Sequence, residues 1–449
     1  MRPRFPYRPV LDFVARQTRV SAPDTICYKE SCCHSMTNVL TILLAGGSGE
    51  RLWPLTRERA KPAVPFGGIY RVIDITLSNS INSGLRKIYI LTQYKALSLN
   101  RHLRLGWNIL SPELGEFIET LHPMKRVSDN WYLGTADAVY QNLSSILEEA
   151  TPYTLILSAD HVYKMNYSHM MECHQDHRAD VTLATLQVHP HEASRFGITD
   201  IASDCRIVGF EEKPQHGSPR PSRFNPSMCS ASMGVYLFST EVLAEALRRD
   251  ANDPTSSHDF GHNILPWLAR EARVVAYDFI DENKKEVRYW RDVGTLDAYY
   301  EAHMDLVSVN PVFNLYDSAW PIRTFMEQYP PAKFVFAEEG RRMGVAIDSI
   351  VSHGCIISGG RVINSVLSPG VRINSYSEVE HSVLFPHVTV GRNSRVRRAI
   401  IDRGVTLPEF TEIGFDLERD RDNGFVITDN GIVVVDHQPE RVSVMAGVK

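Results

Sequence analysis

The sequence predicts an α/β domain on a doubly wound, mostly parallel sheet, followed by a second domain that is a parallel β-helix. Two observations carry this. From Val39 onward, apolar runs of strand length alternate with stretches of helical periodicity, the pattern of a sheet covered on both faces. Beyond Val345, apolar residues recur every seventeen positions instead, as they do when short coils stack into a solenoid.

The first strand is the apolar run Val39–Ala45, which stops at Gly46, Gly47, Ser48 and Gly49. Glycines after a buried strand let bare backbone N–H groups approach a ligand, so the loop reads as a phosphate cradle. Arg51 and Lys61 follow closely and supply positive charge for a polyphosphate. The loop lacks the Gly-Lys-Ser/Thr ending of a Walker motif and the third glycine of a dinucleotide fingerprint.

Residues 71–83 place Ile73, Leu77 and Ile81 on one helical face, and Gly84 can end that helix. Lys87–Thr92 reads as the next strand. Ala136, Val139, Leu143, Ile146 and Leu147 then follow helical spacing from Thr135, and the apolar run 154–157 leads to Asp160. Further strands are expected at Val181–Val188 and 233–238, with a late helix over 295–307. Ligands of such sheets sit beyond the carboxyl ends of the strands, where both the glycine loop and Asp160 lie.

Residues 311–344, rich in proline and poor in periodicity, read as a connector between a domain at 36–310 and the solenoid at 345–449. Four apolar rows define the solenoid. They are Val345, Val362, Val379, Val396 and Ile413; Val371, Val388 and Val405; Ile356, Ile373, Val390 and Leu407; and Ile350, Leu367, Leu384 and Ile401. A coil of seventeen residues fits three short strands better than any helical repeat, with Gly359-Gly360, Pro369-Gly370, Pro386 and Gly391 at corners. No His or Cys ligands cluster on these rows, so the solenoid reads as structural.

Composition narrows the function. The 449 residues exceed one core, and a formal net charge of −5 argues against nucleic-acid binding. No apolar run is long enough to span a bilayer, so no membrane partner is expected. The seven cysteines are odd in number and form no C-x-x-C pair, which fits a reducing cytoplasm. Residues 1–35, with five arginines and little apolar pattern, are expected to be a disordered extension.

Asp160 ends a strand where a carboxylate suits Mg²⁺ held against phosphate oxygens, and Asp292, just before the late helix, is the natural second carboxylate. Lys213, whose direction is set by Pro214, is the candidate cation for a second anionic substrate. His161 stands beside Asp160 without a spaced partner and is not expected to make a zinc site.

The run from Gly46 to Leu52 through Lys61-Pro62 is followed in order by Gly134-Thr135-Ala136-Asp137, Asp160-His161, Glu212-Lys213-Pro214, Ser257-His258-Asp259-Phe260 and Trp290-Arg291-Asp292-Val293-Gly294-Thr295. This set closely resembles the bacterial ADP-glucose pyrophosphorylase family, the glucose-1-phosphate adenylyltransferases, from about Val39 to about Val435. The glycine loop alone would indicate only the wider sugar nucleotidyltransferase superfamily. The resemblance implies a Rossmann-like catalytic domain, a left-handed β-helix, a homotetramer and regulation by small anionic effectors.

It also implies roles for residues. Arg51 and Lys61 would hold the ATP phosphates, with Gly46, Gly47, Gln93, Gly134, Thr135 and Asp137 around the nucleotide. Asp160 and Asp292 would hold Mg²⁺. Lys213 would take the phosphate of glucose-1-phosphate, with Tyr132, Gly197, Glu212, Ser232, Asp259 and Phe260 lining the sugar pocket, and Arg51, Lys61 and Asp160 would be the catalytic set. Arg59 and Arg398 are the regulatory candidates.

Two positions depart from the family pattern. Glu58 stands where members activated by fructose bisphosphate carry lysine, and Leu133 replaces an arginine, so altered or weaker activation by that effector is expected. Other nucleotide and sugar-phosphate pairs, such as GTP with mannose-1-phosphate, share the early motifs. A non-catalytic regulatory subunit would share the fold but lose the metal carboxylates or phosphate cations, and all of these are present here.

Overall fold

A computed structural model of the chain describes residues 36–47, 49–123, 131–215, 220–223, 225–338 and 342–436. The expected extension at 1–35, Ser48 of the glycine loop and the end of the expected solenoid beyond 436 lie outside the described residues.

The first domain is built on one large mixed sheet. In chain order its strands are β1 (Val39–Ala45), β2 (Lys87–Thr92), β3 (Phe117–Leu121) and β4 (Tyr153–Ser158). A short strand, β5 (His161–Tyr163), stands outside the sheet. Then come β6 (Val181–Val188), β7 (Gly197–Ile201), β8 (Ile207–Glu212), β9 (Cys229–Ser239) and β10 (Val274–Asp278). The order across the sheet is β8-β7-β9-β4-β1-β2-β3, with β6 on β9 and β10 on β6.

Strand β1 runs parallel to both neighbours, β2 and β4, whereas β9 runs antiparallel to β4, β6 and β7. Burial on both faces explains why β1 is apolar except at Thr41. Val39 and Leu43 enter one core with Ile73 and Leu77 of helix Val72–Asn82, and Leu40 and Ile42 enter the other with Val139 and Leu143. The helix expected from Thr135 is two helices, Thr135–Gln141 and Leu143–Glu148. Between them the Asn142 amide donates to the Ala138 carbonyl (2.8 Å) and the Tyr132 hydroxyl (3.0 Å), and Leu147 is left exposed.

A two-stranded ribbon adds to this domain beside the large sheet. Strand β11 (Trp290–Asp292) lies antiparallel to β5, with Asp292 directly opposite His161. This pairing carries a residue distant in sequence to the carboxyl end of β4.

The second domain stacks three parallel sheets. From the second coil on, the seventeen-residue rows hold: Val362, Val379, Val396 and Ile413 are in register, as are Ile373, Val390 and Leu407. The first coil departs from this. Ala346 lies opposite Val362, Val351 opposite Leu367 and Ile357 opposite Ile373, an offset of sixteen. Val345, Ile350 and Ile356 therefore stand one position off the expected rows. Because strand side chains alternate, Ile357 is fully buried while Ile356 is only half-buried. Stacking also takes in Lys333–Val335, parallel to Ile356–Ser358, inside the stretch read as a connector.

The domains share one apolar core. Leu52, Leu55, Val72, Leu296 and Tyr299 pack with Val366, Val383, Phe385, Ile400 and Val434 of the β-helix. Tyr300 donates to the His381 carbonyl (2.7 Å), and Thr428 to the Asp297 carboxylate (2.7 Å).

Candidate active site

The cleft lies at the carboxyl ends of β1 and β4, where a doubly wound sheet puts its ligands. After β1 the chain turns through Gly46 and Gly47 to Gly49, whose φ of +70° suits glycine. A Cβ on Gly49 would also lie 2.9 Å from Thr56 Cγ2, and the Thr56 hydroxyl fastens the turn by donating to the Gly49 carbonyl (2.8 Å). A Cβ on Gly47 would meet open space, so the backbone there is uncovered, although neither Gly46 nor Gly47 lines the cavity shared by Arg51, Asp160 and Lys213. Gln93, at the end of β2, stands beside Gly46.

At the end of β4, Asp160, His161 and Asp292 form a group whose ligand atoms lie within 4.8 Å of one another. The buried Lys61 ammonium reaches both carboxylates, 2.6 Å from Asp160 Oδ2 and 3.6 Å from Asp292 Oδ1. Burial alone would raise the Asp160 pKa. The Lys61 and His161 charges and hydrogen bonds from Lys61 and Ser158 overcome this and hold the carboxyl well below the usual carboxylate range. Asp292 Oδ1 and His161 Nδ1 are buried without a hydrogen bond. Buried polar atoms are normally bonded, so this pair is what a site for a cation would leave.

The other side of the cleft is built by the β7–β8 hairpin and by β9. Glu212 is paired with Gly197, and its carboxylate occupies the space that a Cβ on Gly197 or Gly261 would need, at 2.7 and 2.5 Å. A side chain at either position would have to displace that carboxylate, and at Gly197 also the Phe210 ring, whose Cζ would lie 2.4 Å away. Lys213, with a positive φ of 47°, follows the strand and places Nζ 2.7 Å from Glu212 Oε1. Ser232 is buried on β9 and accepts from the Gly234 N–H (3.3 Å), where the register of β9 shifts. Arg51, Asp160, Glu212, Lys213, Ser232 and Asp292 line one cavity of about 400 Å³.

Gly134, Thr135, Asp259 and Phe260 interlock. A Cβ on Gly134 would lie 2.3 Å from the His258 carbonyl oxygen, which accepts from Ala136 N–H (2.8 Å). The Thr135 hydroxyl donates to Asp259 (2.9 Å) and accepts from Phe260 N–H (3.1 Å). Asp259 also accepts from the Gly261 and His262 N–H groups. Asp137 turns inward, accepting from Leu133 N–H and Gln141 (2.8 Å each), and Tyr132 is held by Asn142. These bonds shape the turn and commit both the Asp137 carboxylate and much of the surrounding backbone.

The regulatory candidates separate. Arg59 lines a second cavity, of about 300 Å³, between the domains, with Glu58, Arg71, His353, His387 and Arg403 around it. Its guanidinium holds Asp402 of the β-helix through both carboxylate oxygens (2.9 and 3.0 Å). Arg398 does not line this cavity; it donates to the Asn430 carbonyl (3.0 Å) and stands over Tyr300.

Sequence reasoning weighed His161 only as a zinc ligand and gave Arg195 and Trp290 no role, yet all three line the cavity of about 400 Å³. For His161 the missing fact was the β5–β11 pairing. Arg195 had a visible signal in Ser194-Arg195-Phe196-Gly197, a cation two residues before the predicted pocket residue Gly197.

Comparison with known proteins agrees with this geometry. The profile of the family described as "Nucleotidyl transferase" matches residues 40–309, and that described as "GlmU-like, C-terminal hexapeptide" matches residues 330–435. The stacked parallel strands are consistent with the left-handed β-helix of such repeats. A glucose-1-phosphate adenylyltransferase of Koribacter versatilis is 65% identical over 401 residues, 89% of this chain and 95% of that protein. Proteins of the same name from Rhodopirellula baltica and Methylobacillus flagellatus are 56% and 50% identical, over 89% of this chain and 90% and 93% of their own lengths.

Proposed function

Because the chain belongs to the glucose-1-phosphate adenylyltransferase family, we propose that its cleft joins ATP and glucose-1-phosphate into ADP-glucose and pyrophosphate with the residues described above. A phosphate oxygen of glucose-1-phosphate attacks the α-phosphorus of ATP, a new P–O bond forms, and the bond to pyrophosphate breaks. The sugar phosphate carries about −1.5 to −2 charge near neutral pH, so it needs no general base. What it needs is relief of repulsion between two anions and an in-line approach.

The glycine loop and Arg51 meet the triphosphate, Lys61 bridges it to the carboxylates, and Gln93 and the Gly134 turn face the nucleotide. Lys213, Glu212, Ser232, Asp259 and Phe260 hold the sugar phosphate. The observation that carries this reading is the convergence of Arg51, Asp160, Asp292, Glu212 and Lys213 on one cavity.

The family's chemistry calls for a divalent metal ion, and the donor set here fits one. Two carboxylates face the phosphate cradle, and Asp292 Oδ1 is buried without a hydrogen bond. Asp160 and Asp292 would hold the ion, which we take to be Mg²⁺ because it favours carboxylate, water and phosphate oxygens. When bound it supplies positive charge to phosphate oxygens.

The finer parts of the reading are a homotetramer, a cytoplasmic location and a small anionic effector in the cavity between the domains. Supporting the effector are Arg59, Arg71 and Arg403 around that cavity. No helix among the described residues is long and apolar enough to cross a membrane.

The test is pyrophosphate release from a grid of nucleoside triphosphates and sugar-1-phosphates with Mg²⁺. ATP with glucose-1-phosphate should be the preferred pair. A preference for another pair, or no release under any condition, overturns the reading.

A further inference from the structure

We propose that Arg195 is a second cation for the phosphate of glucose-1-phosphate, acting beside Lys213 and setting affinity for that substrate. The inference rests on the reading of the cleft given above and follows from its charge balance.

Four cations stand in or against the cleft: Arg51, Lys61, Arg195 and Lys213. Lys61 is committed to Asp160 and Asp292. Lys213 lies 2.7 Å from the Glu212 carboxylate, and Glu212 is itself fixed between Gly197 and Gly261. A phosphate arriving at Lys213 therefore meets a cation already half compensated. Of these four, Arg51 and Arg195 make no ion pair and no side-chain hydrogen bond to any described residue. Arg51 belongs to the glycine loop and the triphosphate, which leaves Arg195 for the other anion.

Its position suits that task. Arg195 ends the short turn Pro190–Arg195, and β7 follows one residue later. The Lys213 N–H donates to the Phe196 carbonyl (2.9 Å), so the two cations rise from hydrogen-bonded, neighbouring stretches of backbone. The Arg195 guanidinium stands 5.7 Å from the Phe196 ring centroid, a contact that directs it without cancelling its charge. A guanidinium fork can grip two phosphate oxygens at once, which a lysine cannot.

The experiment is steady-state kinetics in both directions, with calorimetric titration of glucose-1-phosphate into the full-length protein. Arg195→Ala should raise the KM for glucose-1-phosphate about tenfold to a hundredfold, the loss of one charge-assisted hydrogen bond, and leave that for ATP within about twofold. Arg195→Lys should fall between. In the reverse direction the KM for ADP-glucose should rise and that for pyrophosphate should not, because the sugar phosphate stays with the nucleotide. Arg195 is exposed, so the variant should melt as the wild type does. An unchanged KM for glucose-1-phosphate, or an equal rise for ATP, overturns the proposal while the reading of the cleft stands. If the wild type neither binds nor consumes glucose-1-phosphate, that reading fails and the proposal with it.

Discussion

Replacing Asp160 by asparagine separates catalysis from folding. The carboxylate lies 2.6 Å from Lys61 Nζ, with about a quarter of the Asp160 side chain and a tenth of the Lys61 side chain exposed. Removing one partner of a fully buried pair costs about 3–5 kcal/mol. Here the amide oxygen can still accept from Lys61, and Asp292 stands 3.6 Å from the same ammonium, so the expected loss is about 1–3 kcal/mol. In a chain of this size that is a fall of a few degrees in Tm. Turnover should suffer more, because a preorganised charge at the reacting phosphates is worth about 3–4 kcal/mol, a factor of about 10²–10³. Pyrophosphate release at saturating ATP and glucose-1-phosphate, with a thermal melt on the same sample, measures both. Turnover within about tenfold of wild type would refute the assignment of Asp160 to the reacting centre. So would a loss of activity that merely follows the unfolded fraction.

Gly134→Ala puts a methyl group 2.3 Å from the His258 carbonyl, so the Gly134 and Asp259 loops must part; the KM for ATP should rise at least about tenfold, read from the same assay. His174 and His303 are both buried, and desolvation pushes each pKa down to about 4. The unfolded chain then takes up protons near pH 6.5 that the folded chain refuses, so these two histidines should lower Tm as pH drops from about 6.5 to about 4; below that their contribution is constant, and protonation of the depressed Asp160 carboxylate goes on lowering it. His303→Gln, which can still accept from Gly67 N–H and donate to the Tyr299 carbonyl, should lessen that slope. Glu58→Lys replaces an acid lining the cavity between the domains, and stimulation by fructose bisphosphate should be weak in the wild type and stronger in the variant, measured as the ratio of rates with and without it.

What was legible in the sequence was what local chemistry decides. Strands β1 and β2 were legible because central strands covered on both faces are mostly apolar, with Thr41 the one polar residue inside β1 and Lys87 and Thr92 at the ends of β2. The seventeen-residue period disclosed the solenoid for the same reason. The short first coil was hidden, because a corner that loses one residue leaves apolar residues at both Ile356 and Ile357, and only the register shows which one is inside. Asp160 and Asp292 were legible as motif residues. That His161 joins them depends on cross-strand pairing between residues far apart in sequence, which no local pattern records. Lys213 was read as the cation for a second anionic substrate, and its pairing with Glu212, which no local pattern announced, follows from the turn after β8, where φ is positive.

The β-helix, read from its apolar rows as structural, bears directly on the cleft. Arg57, Arg59 and Lys61 recur at every second residue of one segment, and each is committed to a carboxylate from a different place. Arg57 pairs with Asp436 (2.5 Å) and Arg59 with Asp402, both in the C-terminal domain, whereas Lys61 pairs with Asp160 at the end of β4. Two of three successive anchors of the segment that delivers the Lys61 ammonium therefore come from the β-helix. Partly buried pairs of this kind are screened far less than surface ones, so these anchors hold their geometry at ordinary ionic strength. The same segment borders the cavity between the domains through Glu58 and Arg59. An anion there would compete with Asp402 for Arg59, only two residues from Lys61, which pairs with both Asp160 and Asp292. The chemistry of the glycine loop is thus tied to the far domain through charge pairing along a few residues of backbone, without any long chain of intermediaries.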